Sequence, residues 1–351
     1  MLSDIYRNWY NASGVLYLVT RFCCLLSVLS WFFIIFAYFY QDNMLYLTDS
    51  PIRHIYENPK SYQSPAERNM NYLTVTIERE NGVKLKGWFI CHLDSESNNV
   101  FKSDELENRR LVVFFHENAG NIGLRLDYFQ QLYHTLGIDV LVFAYRGYSD
   151  STGVPTEEHL KQDSHEIMKY IKDHLAKYYV NNGGIFLLGR SFGGAVAVEA
   201  FHNDVYSDMI DGIILENTFT SISDLIDHNA FVLKQVKLIF LSLEWKTIDI
   251  IPNVDVPLFF VTGKNDEIAP SEMTQTLYDA AQSAMFKEIF TAAKGSHNDT
   301  WAAEMGNYLR RMKEFMDRAN SEMIPHRLLK ESQDPTIPNA AELNAKAKHV
   351  N

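Results

Sequence analysis

Cysteine is scarce, with three in 351 residues: Cys23 and Cys24 sit in an apolar N-terminal run and Cys91 stands alone. A disulfide framework for the main domain is therefore excluded. No Cys/His spacing of the zinc-site kind occurs, so no metal is expected. Basic residues form no stripe, and a formal net charge of -12 denies the chain the positive field that a nucleic-acid surface requires. Internal repeats are also lacking. What remains is an ordinary globular composition, 46% hydrophobic and 22% charged, in a length that suits one α/β domain with appendages.

One hydrophobic run stands out. From Phe22 to Tyr40, FCCLLSVLSWFFIIFAYFY is 19 residues without a charge, enough at helical rise to cross most of a hydrocarbon core of about 30 Å. A cleaved signal peptide has a shorter apolar core, about 7 to 15 residues, followed by small residues. This run ends instead in Tyr38, Phe39 and Tyr40, as an interfacial aromatic belt does. The expectation is a single-pass membrane anchor over 22–40, behind an N-terminal tail of 1–21. Its partner would be the lipid bilayer of the endoplasmic reticulum or another endomembrane. Arg7 and Arg21 precede the run while Asp42 and Asp49 follow it, which favours a lumenal domain; Arg53 and Lys60 weaken that bias. Asn298, Asp299 and Thr300 form a glycosylation sequon, but beside His297 a glycan would crowd the candidate site, so Asn298 is expected to stay unmodified.

Residues 41–71 are polar and contain proline, and read as a connecting segment with little regular structure. Beyond them, Leu73 to Arg79 and Val83 to Ile90 alternate as strands around Asn81 and Gly82, a hairpin signal. A polar stretch, DSESNNVFKSDELENRR, then leads to short apolar runs: LVVFF at 111, VLVFA at 140, IFLL at 185, GIIL at 212 and PLFFVT at 257, with a late strand-like FKEIF at 286–290. Helix-like segments such as Glu157 to Tyr178 lie between them. Strands alternating with helices predict a mostly parallel sheet covered on both faces, with ligands beyond the carboxyl ends of its strands. The sheet-forming unit spans 72–320. Residues 221–250, amphipathic in places, are either a small cap over the site or a surface helix packed on the sheet. From 321 to 351 the chain is polar and reads as a mobile tail.

The strand ends carry the chemistry. IFLL runs into Gly189, Arg190, Ser191, Phe192, Gly193, which fits the G-x-S-x-G elbow that lifts a nucleophilic serine above a sheet. A serine hydroxyl needs an imidazole to take its proton and a carboxylate to orient the imidazole. Asp266 and His297 follow Ser191 in the order Ser, Asp, His, each shortly after a strand. Glu216 and Asp299 are competing acids, ranked behind Asp266 because the strand after the excursion is where the fold places the acid. Phe192 N–H, directly after the nucleophile, is one expected oxyanion donor.

Taken in order, NPKSYQSP, NGVKLKGWFI, FFHENAGN, AYRGYSDSTGVPTEE, GRSFGGAVA, ENTFTS, GKNDEIAP and GSHNDTW resemble the α/β-hydrolase-domain proteins of the bud-emergence type, membrane-associated relatives of serine aminopeptidase-like hydrolases. The resemblance runs from about Asn58 to Met316. It implies an α/β-hydrolase fold, an N-terminal anchor, and Ser191, Asp266 and His297 as the triad. The family's FFHGNAGN maps onto Phe114 to Asn121, which makes Asn118 N–H the second oxyanion donor. This chain carries Glu117 where the family has glycine, and a position that required an unusual backbone angle would resist glutamate. His116 is expected to shape the loop, with a role as catalytic base the minor alternative. Arg146 is expected to pair with an acid such as Asp163.

The reading is a membrane-anchored serine hydrolase without metal or organic cofactor, cleaving an ester, thioester or amide. Protein depalmitoylase, peptidase and a catalytically silent scaffold are the alternatives.

Overall fold

The computed structural model describes residues 2–79, 82–92, 108–202 and 205–333. Its strands are β1 (Tyr72–Glu78), β2 (Lys84–Ile90), β3 (Leu111–Phe115), β4 (Asp139–Phe143), β5 (Ile185–Arg190), β6 (Gly212–Glu216), β7 (Leu258–Gly263) and β8 (Lys287–Ala292). They form one sheet in the order β1-β2-β4-β3-β5-β6-β7-β8. β2 pairs antiparallel with both β1 and β4, and every other neighbouring pair is parallel. This is the expected mixed sheet opening on a hairpin. Of the hairpin turn, Asn81 lies outside the described residues, while Gly82 N–H donates to Arg79 O at 2.9 Å. Most of the polar stretch between β2 and β3 also lies outside them.

Every residue of β3 to β7 is buried, because helices cover both faces of the sheet; this is why those strands read as unbroken apolar runs instead of alternating. The helices Leu126–Leu136 and Glu157–His174 and the helix Phe192–Phe201 supply much of that cover. The last packs at backbone distance. A Cβ on Gly193 would stand 2.0 Å from Phe115 O, and one on Gly194 2.0 Å from Thr218 Oγ1, so only glycine lets this helix sit directly over β3 and β6.

Two helices run past the boundaries read from sequence. The N-terminal helix runs from Leu2 to Leu45, longer at both ends than the apolar 22–40; it is the one described helix long and apolar enough to cross a membrane. Past Leu45 the segment 41–71 carries only two short 3-10 turns, Ile55–Glu57 and Pro65–Arg68, and it is held by side chains: Asn58 is buried and its Nδ2 donates to Tyr62 O and Asn121 Oδ1 at 2.8 Å each. Side-chain amides, invisible to periodicity, supply this order. At the other end the helix Met305–Gln333 passes through 321, because Met323 is buried and Arg327 pairs with buried Asp211 at 2.9 Å. Residues 334–351 lie outside the described part of the chain. The excursion at 221–250 folds as the helices Ile222–Asn229 and Phe231–Phe240, with a short turn at Thr247–Ile250. The helix Phe231–Phe240 packs on its predecessor and on the N-terminal helix.

Candidate active site

Ser191 lies between β5 and the helix Phe192–Phe201 with φ 53° and ψ -121°. A non-glycine residue in so sparsely populated a region costs on the order of 1–3 kcal/mol and persists only where its surroundings over-determine it. They do. Ser191 N–H donates to Glu216 O at 2.8 Å, Thr218 Oγ1 donates to Ser191 O at 2.6 Å, and Gly194 N–H donates to the same carbonyl at 3.0 Å. The turn thereby points Oγ at His297, whose Nε2 stands 2.8 Å away.

His297 comes from the loop after β8, and its Nδ1 lies 2.9 Å from both carboxylate oxygens of Asp266. With Nδ1–H donated to the carboxylate, Nε2 is left as the acceptor for the serine proton. Asp266 is itself held: Oδ1 accepts from Ile268 N–H at 2.9 Å and Ala269 N–H at 2.8 Å. Ser191, His297 and Asp266 are all buried, so water competes little for these bonds. The three residues named from sequence meet as a Ser-His-Asp catalytic arrangement, and the protein is a serine-hydrolase-type α/β-hydrolase equipped for acyl-enzyme chemistry.

The competing acids are committed elsewhere. Glu216 pairs with Arg190 at 3.1 Å and accepts from Tyr308 Oη at 3.0 Å. Asp299 accepts from Ser296 N–H at 2.6 Å and Ser296 Oγ at 2.8 Å. Neither is bonded to the imidazole.

Asn217 was not singled out from sequence. It follows β6 with φ 49°, and its Nδ2 donates to His297 O at 2.8 Å and Thr300 Oγ1 at 2.9 Å while its Oδ1 accepts from Gly263 N–H at 2.9 Å. One side chain thus ties the end of β7, which leads to Asp266, to the loop that carries His297. The available signal was an asparagine, the non-glycine residue that best tolerates left-handed backbone, directly after a strand in ENTFTS.

The segment after β3 accounts for its glutamate. Glu117 has no positive φ, so glycine's freedom is not required there. Its carboxylate binds Arg125 Nε at 2.6 Å and faces Arg190 Nη1 at 3.5 Å. Burial pushes the Glu117 carboxyl up, but the two guanidiniums outweigh it and hold it below its ordinary value. Arg190 also lies over the Tyr128 ring at 4.3 Å and pairs with Glu216, so a buried charge cluster stands behind the turn. His116 is structural: its Nε2 accepts from Tyr145 N–H at 3.2 Å, its Nδ1 lies 2.7 Å from Glu117 O, and burial lowers its pKa to about 4. Arg146 pairs with Asp163, Nε to Oδ2, at 2.6 Å. Asn118 is gripped by its carbonyl, which accepts from Leu47 N–H at 3.0 Å and Tyr148 Oη at 2.8 Å. Phe192 N–H belongs to the first turn of its helix, where no intrahelical acceptor exists.

Comparison with known proteins gives a consistent result. The family model for serine aminopeptidase, S33, matches residues 106–250, which include Ser191 but stop short of Asp266 and His297. Protein bem46 of Schizosaccharomyces pombe is 32% identical over 76% of this chain and 82% of its own length. The α/β-hydrolase domain-containing protein WAV2 of Arabidopsis thaliana is 31% identical over 80% of this chain and 88% of its own. An uncharacterized membrane protein of Saccharomyces cerevisiae is 30% identical over 75% and 84%. Among solved structures, the Pyrococcus furiosus esterase Pf2001 superposes with a TM-score of 0.57 at 18% identity, covering 73% of this chain and 93% of the esterase. An α/β-hydrolase from Vibrio vulnificus gives 0.54 at 18% identity, over 70% and 81%. These two show the fold.

Proposed function

The chain belongs to the Bem46 family of α/β-hydrolase-domain proteins, and on that premise we propose that it is a membrane-anchored hydrolase that cleaves an ester, thioester or amide at Ser191. The observation that carries the reading is the unbroken line from Asp266 through His297 to Ser191 Oγ, with bonds of 2.9 and 2.8 Å, ending on a serine held in a strained turn.

In the first half-reaction Ser191 Oγ attacks the substrate carbonyl carbon as its proton passes to His297 Nε2. The imidazolium, paired with Asp266, then returns that proton to the leaving group, and an acyl-serine remains. Water repeats the sequence: its proton goes to His297, its oxygen attacks the acyl carbon, and Ser191 recovers its proton. Phe192 and Asn118 N–H are the donors assigned to the oxyanion, each worth about 3 kcal/mol of transition-state stabilisation. Glu117 supports this assignment, because its ion pairs hold the loop that carries Asn118.

The N-terminal helix is assigned as the anchor. Its apolar composition, the outward-facing side chains of 14–40 such as Phe32 and Phe39, and the membrane description of the yeast relative support that role. Anchor, linking segment and hydrolase domain follow in that order, with the domain ending at the last helix and not at 320. The excursion at 221–250 is assigned as a cap, supported by the Asn229 Nδ2 bond to Ile268 O at 2.8 Å, which ties it to the Asp266 loop. Depalmitoylation is the favoured second reading, since an anchor keeps the site beside acylated membrane proteins.

The test is labelling of the full-length protein in membranes with a fluorophosphonate probe. Wild type is expected to label and Ser191→Ala to lose labelling with its fold intact. Equal labelling of the two would remove Ser191 from the mechanism, and an inert wild type would support a scaffold.

A further inference from the structure

The helix Phe231–Phe240 presents large apolar side chains to solvent. Phe231 is 80% exposed, Val232 68%, Leu238 96% and Ile239 58%, and at helical spacing these four share one side around the exposed Gln235. The other side is committed: Phe240 is buried, and Lys237 Nζ donates to Ser223 Oγ at 2.7 Å. Contiguous apolar patches of this kind mark interaction surfaces, and an amphipathic helix with an outward apolar face is the form that lies in a membrane interface.

What the face meets is set by what the helix is attached to. Gln41 Nε2 donates to Phe240 O at 3.3 Å, and Gln41 Oε1 accepts from Ser242 N–H at 2.8 Å and Leu243 N–H at 3.1 Å. Gln41 directly follows Tyr38, Phe39 and Tyr40, the aromatic end of the apolar run, and aromatic belts sit at headgroup level. A buried glutamine thus clamps the end of the exposed helix at the depth where the chain would leave the bilayer. Lys234, exposed on the flank of the same helix, suits anionic headgroups.

We propose that the helix Phe231–Phe240 lies in the interfacial zone of the bilayer that the N-terminal helix enters, a second lipid contact that holds the hydrolase domain against the membrane surface. The proposal rests on the reading of the N-terminal helix as an anchor. Two contacts relate this surface to the chemistry. Asn229, just before the helix, is bonded to Ile268 of the Asp266 loop, and Trp245, just after it, packs edge-on against Phe192 at 4.9 Å. Docking therefore keeps the triad's side of the domain towards lipid, and acyl chains presented by the bilayer are the substrate class this arrangement serves.

The test uses the full-length protein with Cys23→Ser and Cys24→Ser, Cys91 being buried. An environment-sensitive nitrobenzoxadiazole label is placed at Leu238→Cys, or at Val232→Cys should the first variant fail to fold. Leu29→Cys reports on the anchor and Lys177→Cys on the domain's remote surface. The protein is reconstituted in phosphatidylcholine–phosphatidylserine vesicles with and without lipids carrying a nitroxide quencher, shallow for positions 238, 232 and 177 and deep for position 29, which lies near the middle of the 22–40 run. Blue-shifted emission that is lost to the quencher at 238 or 232, with 177 unaffected, is the expected result. Quenching at 29 alone overturns the proposal and leaves the anchor standing, whereas no quenching at either place overturns both. A blue shift that the quencher does not reach would mean that a second copy of the chain covers the face, which also overturns it.

Discussion

Glu117 Oε1 faces Arg190 Nη1 at 3.5 Å, so the residue that departs from the family's glycine is paired with the residue immediately before the nucleophile. The loop after β3 and the turn after β5 are locked together by that pair, and Arg125 and Glu216 complete the charge balance.

Replacing Glu117 with leucine would strip Arg125 of its carboxylate partner and leave Arg190 with Glu216 alone. Unpairing buried charge of this kind costs about 3–5 kcal/mol, and urea unfolding of Glu117→Leu should show a loss of about that size. The wild-type pair also has an acid dependence. The folded Glu117 carboxyl is held below its ordinary value, so its contribution is present above the unfolded pKa and is lost as pH falls through the folded one. Glu117→Gln should therefore lose less stability than wild type on acidification below the ordinary glutamate range. Parallel acid-unfolding curves for the two proteins would refute the assignment.

Asp266→Asn should lower turnover by about 10⁴-fold, because an amide no longer enforces the tautomer that leaves Nε2 free. Glu216→Gln should act on stability instead, since its partners are Arg190 and Tyr308. Steady-state kinetics beside thermal melts of the two variants separate these effects, and the reverse ranking would transfer the orienting role to Glu216.

Asn217→Ala removes the side chain that ties the His297 loop to Gly263. Misplacement of a catalytic group by about 1 Å costs on the order of 10²-fold, and the expected signature is a fall in kcat of that order with KM little changed. A purely structural role would lower the melting temperature and spare kcat of the folded fraction.

The side of the membrane is testable with a C-terminal tag in sealed microsomes. The flanking charges predict protection of the tag from protease, and digestion without detergent would place the domain in the cytosol. Asn298 is predicted to stay unglycosylated on either side. It is exposed, but Thr300 is buried, with its hydroxyl donating to Ser296 O at 2.6 Å, and the neighbouring His297 is in the triad. A glycan at Asn298 would show that this loop opens far enough to expose Thr300.

From its residues alone the chain determined its class of fold and its nucleophile, because both are written in local signals: short apolar runs that must be buried on two faces, and small residues around a serine where a strand turns into a helix. The choice of acid was weaker there. Glu216 closes one strand and Asp266 follows another, and only the direction of the side chains, one towards Arg190 and the other towards His297, separates them. The same holds for Glu117, which in sequence is a departure from a glycine position and in the fold is the partner of Arg125 and Arg190. Polar 41–71 shows no periodicity, yet it is ordered by amide contacts to residues some sixty positions away, such as Asn58 to Asn121. Asn217 bridges two loops that are far from it along the chain, a placement that only the parallel register of β6, β7 and β8 produces. Hydrogen bonds and ion pairs act over about 3 Å in space and leave no period in the sequence, so these partners were decided only when the sheet brought its strand ends to one side.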